Sequence, residues 1–311
     1  MLPTNPSFRY SGHETFACRY AWLPKVVQAL GKDEGLFKDE DSAMVSLGVG
    51  KNMVRSAKFW AESAQIIVES PAGHLVTPFG QQVLGYDGHD PYLEKIQTLW
   101  LLHWKISTSQ ERPLFHWYQM LNFWHRAEFA ESEAVGFLER ELPNDNRGQK
   151  SRRTLGDGLR VFINSYVNSR GRKGEVAEDN LDCPLVELGL IRIAGERKSS
   201  DGSRETLYSF HVDSKSEITP ELFAYCVHDY WLNSPSRQSD ESLSFKAIST
   251  EAGSPGQVFK LPEAALSALL DTLSLTTAGA LSFEESHSMQ RIWRTNDLRP
   301  DDLIQNIYDP S

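Results

Sequence analysis

Apolar and polar positions follow helical spacing through much of the chain, broken at intervals by short alternating runs. From Glu40, the residues Ala43, Met44 and Leu47 share one helical face, and the run stops at Gly48-Val49-Gly50. A second helix is predicted from Lys51 to about Gln65. At about 100° per residue, Met53, Val54, Ala57, Trp60, Ala61 and Ala64 fill one arc, while Lys51, Asn52, Arg55, Lys58 and Glu62 fill the facing arc. Phe59 falls on the polar arc, where a ring would stack on a sugar or base or, the favoured reading, pack under a neighbouring domain. Ile66 to Ser70 and Leu75 to Phe79 flank Pro71-Ala72-Gly73-His74, which predicts a hairpin.

Farther on, aromatic-rich helices are predicted over Tyr92 to Ser107, Leu114 to His125 and Glu131 to Leu142, and a basic helix near Ser151 to Asn168. Leu155, Leu159, Phe162, Ile163 and Tyr166 form the apolar face of that basic helix, with Lys150, Arg153 and Arg160 pointing away and Arg152 near the apolar edge. Strand-like runs follow at Leu190 to Ala194 and Glu205 to Val212. A helix from Pro262 to Leu273, a hairpin (Ala280 to Glu284 with Gln290 to Arg294) and a helix from Pro300 complete the chain. Helices followed by a small hairpin thus occur three times, which is the grammar of winged helix-turn-helix modules. The expected fold is mostly α with small β-hairpin wings. Its units are a winged helix-turn-helix domain over 1–90, a helical middle domain with the basic helix and a hairpin over 91–213, and a winged-helix-like domain over 214–311.

The chain has 311 residues, 40% hydrophobic, 11% aromatic and 24% charged, which is globular composition and too long for one ordinary domain. No stretch approaches the roughly 18 apolar residues of a membrane span, and the first ten residues hold no signal core, so a cytoplasmic protein with no membrane partner is expected. Three widely separated cysteines (Cys18, Cys183, Cys226) give neither a disulfide framework nor a zinc ribbon. The formal charge of -10 argues against a polyanion partner until it is divided by segment. Between Arg147 and Lys173, eight basic residues face the single acid Asp157, so this stretch carries +7 and the rest of the chain -17. Bases so little diluted by acids favour a polyanion-facing surface over a merely solvated helix.

Several constellations carry candidate chemistry. Lys51, Asn52, Arg55 and Lys58 are the residue types that contact phosphates and base edges from a recognition helix; a solvated amphipathic helix is the alternative. Gly48-Val49-Gly50-Lys51-Asn52 lacks the spacing and the hydroxyl of a phosphate loop, which excludes a P-loop nucleotidase. Glu178, Asp179 and Asp182 place three carboxylates within five residues, oxygen donors suited to a divalent metal beside a phosphodiester. The competing reading makes Asp182 an N-cap ahead of Cys183-Pro184. His13 and Glu14 offer an imidazole and a carboxylate side by side, which share a site only in an extended or turn conformation; a structural role is the competing reading. His103, His116 and His125 sit among tryptophans at helical spacing, the pattern of an aromatic core rather than a metal site.

Ser11-Gly12-His13-Glu14-Thr15-Phe16, Arg19, Trp22-Leu23-Pro24-Lys25, Ala43-Met44 and Leu47 to Val54 resemble the opening of the SspB-like family. This bacterial family is encoded beside DNA-phosphorothioation and phage-defence genes. Asp90-Pro91, Leu99 to Trp104 and Glu178 to Leu185 fit its pattern too, so the resemblance runs from about residue 8 to beyond 185. It implies a duplex-DNA-binding subunit that nicks one strand so that sulfur can replace a phosphate oxygen. The implied partners are an SspC-like ATPase and an SspD-like sulfur-transfer protein, with an SspA-like cysteine desulfurase in the same pathway. No catalytic residue carries over with the resemblance. The residue chemistry points to His13, Glu14, Asp179 and Asp182 as catalytic candidates, with Mg or Mn held by Glu178, Asp179 and Asp182. A non-enzymatic DNA-binding scaffold or regulator of the same system is the alternative.

Overall fold

The computed structural model describes residues 7–146, 150–168, 183–198, 202–286, 289–295 and 298–309. The N-terminal part holds α1 (Trp22–Leu30), α2 (Glu40–Leu47), α3 (Lys51–Ser63), the hairpin β1 (Ile67–Ser70) and β2 (Gly73–Val76), and α4 (Pro78–Leu84). Asp39 caps α2 by accepting the Ser42 N–H at 3.0 Å, and Gly48 ends it in the left-handed conformation at φ 67°. The glycine turn expected between two helices is therefore present. The expected second strand ends early, at Val76. Thr77 accepts the Gly80 N–H at 2.9 Å and Pro78 takes the first helical position, so the Thr-Pro pair starts a helix.

The middle of the chain contributes α5 (Ile96–Thr108), α6 (Phe115–Asn122), β3 (Glu128–Ala130), α7 (Glu131–Arg140), α8 (Arg152–Tyr166), a 3₁₀ turn at Pro184–Leu188, β4 (Ile191–Lys198) and β5 (Arg204–Phe210). The remainder is α9 (Pro220–Leu232), α10 (Pro235–Gln238), β6 (Ser242–Ser244), α11 (Phe245–Thr250), α12 (Pro255–Phe259), α13 (Glu263–Thr276), β7 (Leu281–Ser286), β8 (Met289–Arg294) and α14 (Pro300–Tyr308). The fold is mostly helical with small antiparallel sheets. Two of the three sheets gain a strand that the hairpin pattern did not predict: β3-β5-β4 and β6-β8-β7. The added strands, β3 and β6, are three residues each and pair with distant partners, Glu128 with Ser209 and Ser242 with Trp293.

Helix α5 is the spine of the core, buried without a break from Thr98 to Thr108. Its single charge and a neighbouring indole are satisfied by one carboxylate of α9: Asp229 accepts from Lys105 Nζ at 2.7 Å and Trp104 Nε1 at 2.8 Å, and also from Asn233 Nδ2 at 2.7 Å. The aromatic-core reading holds for His103 and His116, whereas His125, just past the end of α6, is exposed. His103 donates from Nε2 to the Val258 carbonyl at 3.0 Å and accepts at Nδ1 from the Tyr166 hydroxyl at 2.7 Å. Trp117 Nε1 donates to that same hydroxyl at 2.8 Å. Burial holds His103 neutral, with its pKa down to about 4. His116 packs flat against α8 at Gly158, where an added Cβ would lie 2.1 Å from the imidazole. Only glycine allows that approach. Cys183 is buried and donates to the Ser165 carbonyl at 3.3 Å; burial pushes its thiol up to about 12, which suits packing rather than nucleophilic chemistry.

Candidate nucleic-acid interface

Helix α3 buries Val54, Ala57, Trp60 and Ala61 and leaves Lys51, Asn52 and Arg55 exposed, as the arcs predict, while Lys58 and Glu62 of the polar arc are half-buried. Phe59 is packed, but within the N-terminal part itself rather than under another domain: it lies under Arg9, whose guanidinium sits 4.2 Å from its ring centroid. The cations of the outer face already have partners. Glu40 on α2 takes Lys51 Nζ at 2.7 Å and Arg55 Nε at 2.6 Å. Hydrogen bonds first from Arg55, then from Lys51, hold the Glu40 carboxyl down to about 2. Lys58 lies 3.8 Å from Glu62, which also takes Arg9 at 3.1 Å.

The Gly12 to Thr15 loop rests on the inner flank of α3. Gly12 has φ +116° and would drive a Cβ to 2.7 Å from Phe59. Glu14 and Thr15 follow at φ 47° and 64°, two consecutive non-glycine residues in the left-handed region, a strain of a kind that clusters at functional sites. Ser56 Oγ anchors the loop by donating to the His13 carbonyl at 3.1 Å. The His13 imidazole is buried and accepts the Thr15 N–H at Nδ1, 3.2 Å away. Among the described residues its Nε2 has no hydrogen-bond partner. Burial is the main cause of a pKa down to about 4, opposed by the carboxylate of Asp157 on α8 and reinforced by Arg9. His13 therefore faces the interior between α3 and α8, whereas Glu14 sits at the surface and acts on Arg55.

Helix α8 is capped by Ser151, which accepts the Thr154 N–H at 3.1 Å, and buries Leu155, Leu159, Phe162, Ile163 and Tyr166. Outside, Arg160 is held by Glu131 at 2.5 Å and by Asp157 at 3.1 Å. Arg152, expected at the apolar edge, lies instead on the surface and reaches Glu139 at 2.6 Å, because the first turn precedes the buried part of the helix. Arg153 is 3.8 Å from Asp157 and its side chain is 90% exposed. The Lys150 ammonium lies 4.9 Å from the Tyr10 ring. The outer face of this helix forms one wall of a cleft of about 690 Å³, closed by α7 and by β5 residues including Arg204 and Tyr208. Arg204 lies outside the basic stretch of the sequence, and only the packing of β5 beside α8 brings it to this wall.

Glu178, Asp179 and Asp182 lie outside the described residues, as do Arg147, Arg170, Arg172 and Lys173. Among the described residues, no three histidine, cysteine or carboxylate side chains converge in a way that would hold a metal ion. No described helix is long and apolar enough to cross a membrane.

With this geometry in place, comparison with known proteins is informative. A family profile described as "Protein of unknown function (DUF4007)" matches residues 10–308. The chain belongs to the DUF4007 family. This DUF4007 chain is similar in structure to a crystal structure of SspB, with a TM-score of 0.80 at 25% identity, covering 98% of this chain and 87% of that one. A magnesium ion-bound SspB crystal structure matches with a TM-score of 0.79 at 26% identity over the same shares. No curated protein sequence matches significantly.

Proposed function

We propose that this DUF4007 protein is the DNA-binding subunit of a phosphorothioation-based defence system and that it nicks one strand of duplex DNA. The observation that carries this reading is the likeness to SspB over nearly the whole chain. Residues 1–90 act as a winged helix-turn-helix domain, with Lys51, Asn52, Arg55 and Lys58 toward DNA and the 91–213 and 214–311 units behind it. Lys150, Arg153 and Arg160 supply a second line of phosphate contacts. SspC-like, SspD-like and SspA-like proteins are its partners in the pathway.

The metal candidate remains Glu178, Asp179 and Asp182, whose hard carboxylate oxygens are the donors that Mg or Mn takes. Magnesium bound to a similar SspB structure supports that choice of ion. When bound, such an ion supplies Lewis-acid stabilisation of phosphate charge. His13 and Glu14 stand as catalytic candidates by residue type; the buried His13 ring, with Nδ1 taken by the Thr15 N–H, shapes the loop, and Arg55 is held by Glu40.

The test is conversion of supercoiled plasmid to open circle with and without Mg or Mn. Loss of nicking in Asp182→Ala and Glu14→Ala supports both function and site. Undiminished nicking in both variants removes the site assignment and leaves the function. Protein that shifts the plasmid but never opens it, whichever metal is present, decides for a non-enzymatic scaffold.

A further inference from the structure

The cleft between α7, α8 and β5 has features that duplex binding along an outer helix face does not use. Four arginines line it, Arg152, Arg153 and Arg160 from α8 and Arg204 from β5, against two carboxylates, Glu131 and Glu205. Both carboxylates are engaged: Glu131 holds Arg160 at 2.5 Å, and Glu205 lies 3.5 Å from Arg197. Arg152 and Arg160 are thus braced by close ion pairs, which fixes the walls. Arg153 and Arg204 differ. Their ion pairs are long, at 3.8 Å and 3.6 Å, and their side chains are 90% and 79% exposed, so a phosphate can replace their partners at little cost. The first turn of α8, a 15-residue helix, forms part of the wall, and its dipole adds positive potential there. Val135 and Tyr208 supply an apolar side to the same space.

Size and shape select among DNA ligands. A cleft of about 690 Å³ is the size of a small-ligand site rather than a duplex-wide surface. A duplex is stiff over about 150 base pairs and meets a concavity only at its rim. A single strand bends, unstacks and turns phosphates and bases inward. We infer that this cleft seats a single-stranded segment or strand end of DNA, with Arg153 and Arg204 gripping its phosphates and Val135 and Tyr208 against a base. This rests on the reading that the protein works on DNA, and it adds a second DNA site with residues from the β5 hairpin.

The experiment is fluorescence anisotropy of the full chain with a short labelled oligothymidylate and with a duplex of equal length, over a range of salt. Arg153→Ala/Arg204→Ala is compared with wild type and with Arg299→Ala, a surface control on the distant α14 cap. Circular dichroism confirms that each variant folds. Losing two phosphate contacts on a single strand should flatten the slope of log K against log salt by about 1.4. The paired variant is expected to bind the oligothymidylate at least tenfold more weakly and to lose clearly more for it than for the duplex, where Arg153 is one of several phosphate contacts, with no change in Arg299→Ala. Unchanged single-strand affinity and slope overturn the inference, as does equal loss for strand and duplex. Competition by tripolyphosphate as strong as that by the oligothymidylate, phosphate for phosphate, also overturns it. A wild-type protein that binds neither DNA overturns the underlying reading as well.

Discussion

Helices α3 and α8 are both amphipathic, both sit on a buried histidine and both turn cations outward, yet they offer those cations differently. On α3, one carboxylate, Glu40, ties up Lys51 and Arg55 at 2.7 and 2.6 Å. On α8, Arg152 and Arg160 are braced, while Arg153 keeps only a 3.8 Å contact with Asp157 and is 90% exposed; Lys58 on α3 has an equally long contact with Glu62 but is only 37% exposed. The number of bases along a helix therefore says less about phosphate binding than which acids the fold places beside them. α3 is a surface that must first release its own clamp. α8 already has a charge to give.

The sharpest way to separate the two helices is to unseat one of them. Gly158→Ala puts a methyl group 2.1 Å from the buried His116 ring, and overpacking of that kind costs up to about 3 kcal/mol. Urea denaturation should show the loss, and binding at the α8 cleft should fall while the α3 surface keeps its shape. Wild-type stability in this variant would mean that α8 does not depend on the contact.

Acid loads both seats. His13 under α3 and His116 under α8 have pKa values pushed down to about 4 and about 3, chiefly by burial. A histidine whose folded pKa is depressed binds fewer protons folded than unfolded, so stability falls as pH drops from about 6.5 toward those values. Each contributes a slope of about 1.4 kcal/mol per pH unit within that window. Thermal unfolding from pH 7 to pH 5 should show the decline. Removing the His116 contribution with His116→Gln should make the curve shallower, and an unchanged slope would contradict its burial as a neutral ring.

A smaller effect tests the clamp. Glu40→Gln frees Lys51 and Arg55 and removes a negative charge, so duplex affinity should rise about threefold, a gain that salt screens away. Weaker duplex binding in this variant would mean that Glu40 positions the cations rather than withholding them. The smallest signal is the carboxyl itself: NMR titration of free protein should give Glu40 a midpoint near 2, moving upward when DNA draws Lys51 and Arg55 away.

Much of this was legible along the chain, where it depends on neighbours in sequence. The buried face of α8, the glycine turn before α3 and the first hairpin follow from local period and composition. Strands β3 and β6 were not legible: three residues carry no period, and their partners lie far along the chain. At Thr77-Pro78 the apolar neighbours Leu75, Val76 and Phe79 continue a strand pattern and mask a helix-start signal. The same division holds at the candidate site. Arg153 and Arg160 stand out by charge, but Arg204 and the Glu40 clamp exist only once separate elements are packed together.

The most direct test of the account is plasmid relaxation in Mg or Mn by three proteins side by side: wild type, Lys51→Ala/Arg55→Ala and Arg153→Ala/Arg204→Ala. The account predicts that wild type produces open circles, that the α8–β5 pair slows nicking at least tenfold, and that the α3 pair slows it less. Equal rates in all three, or no open circle from the wild-type protein, would contradict it.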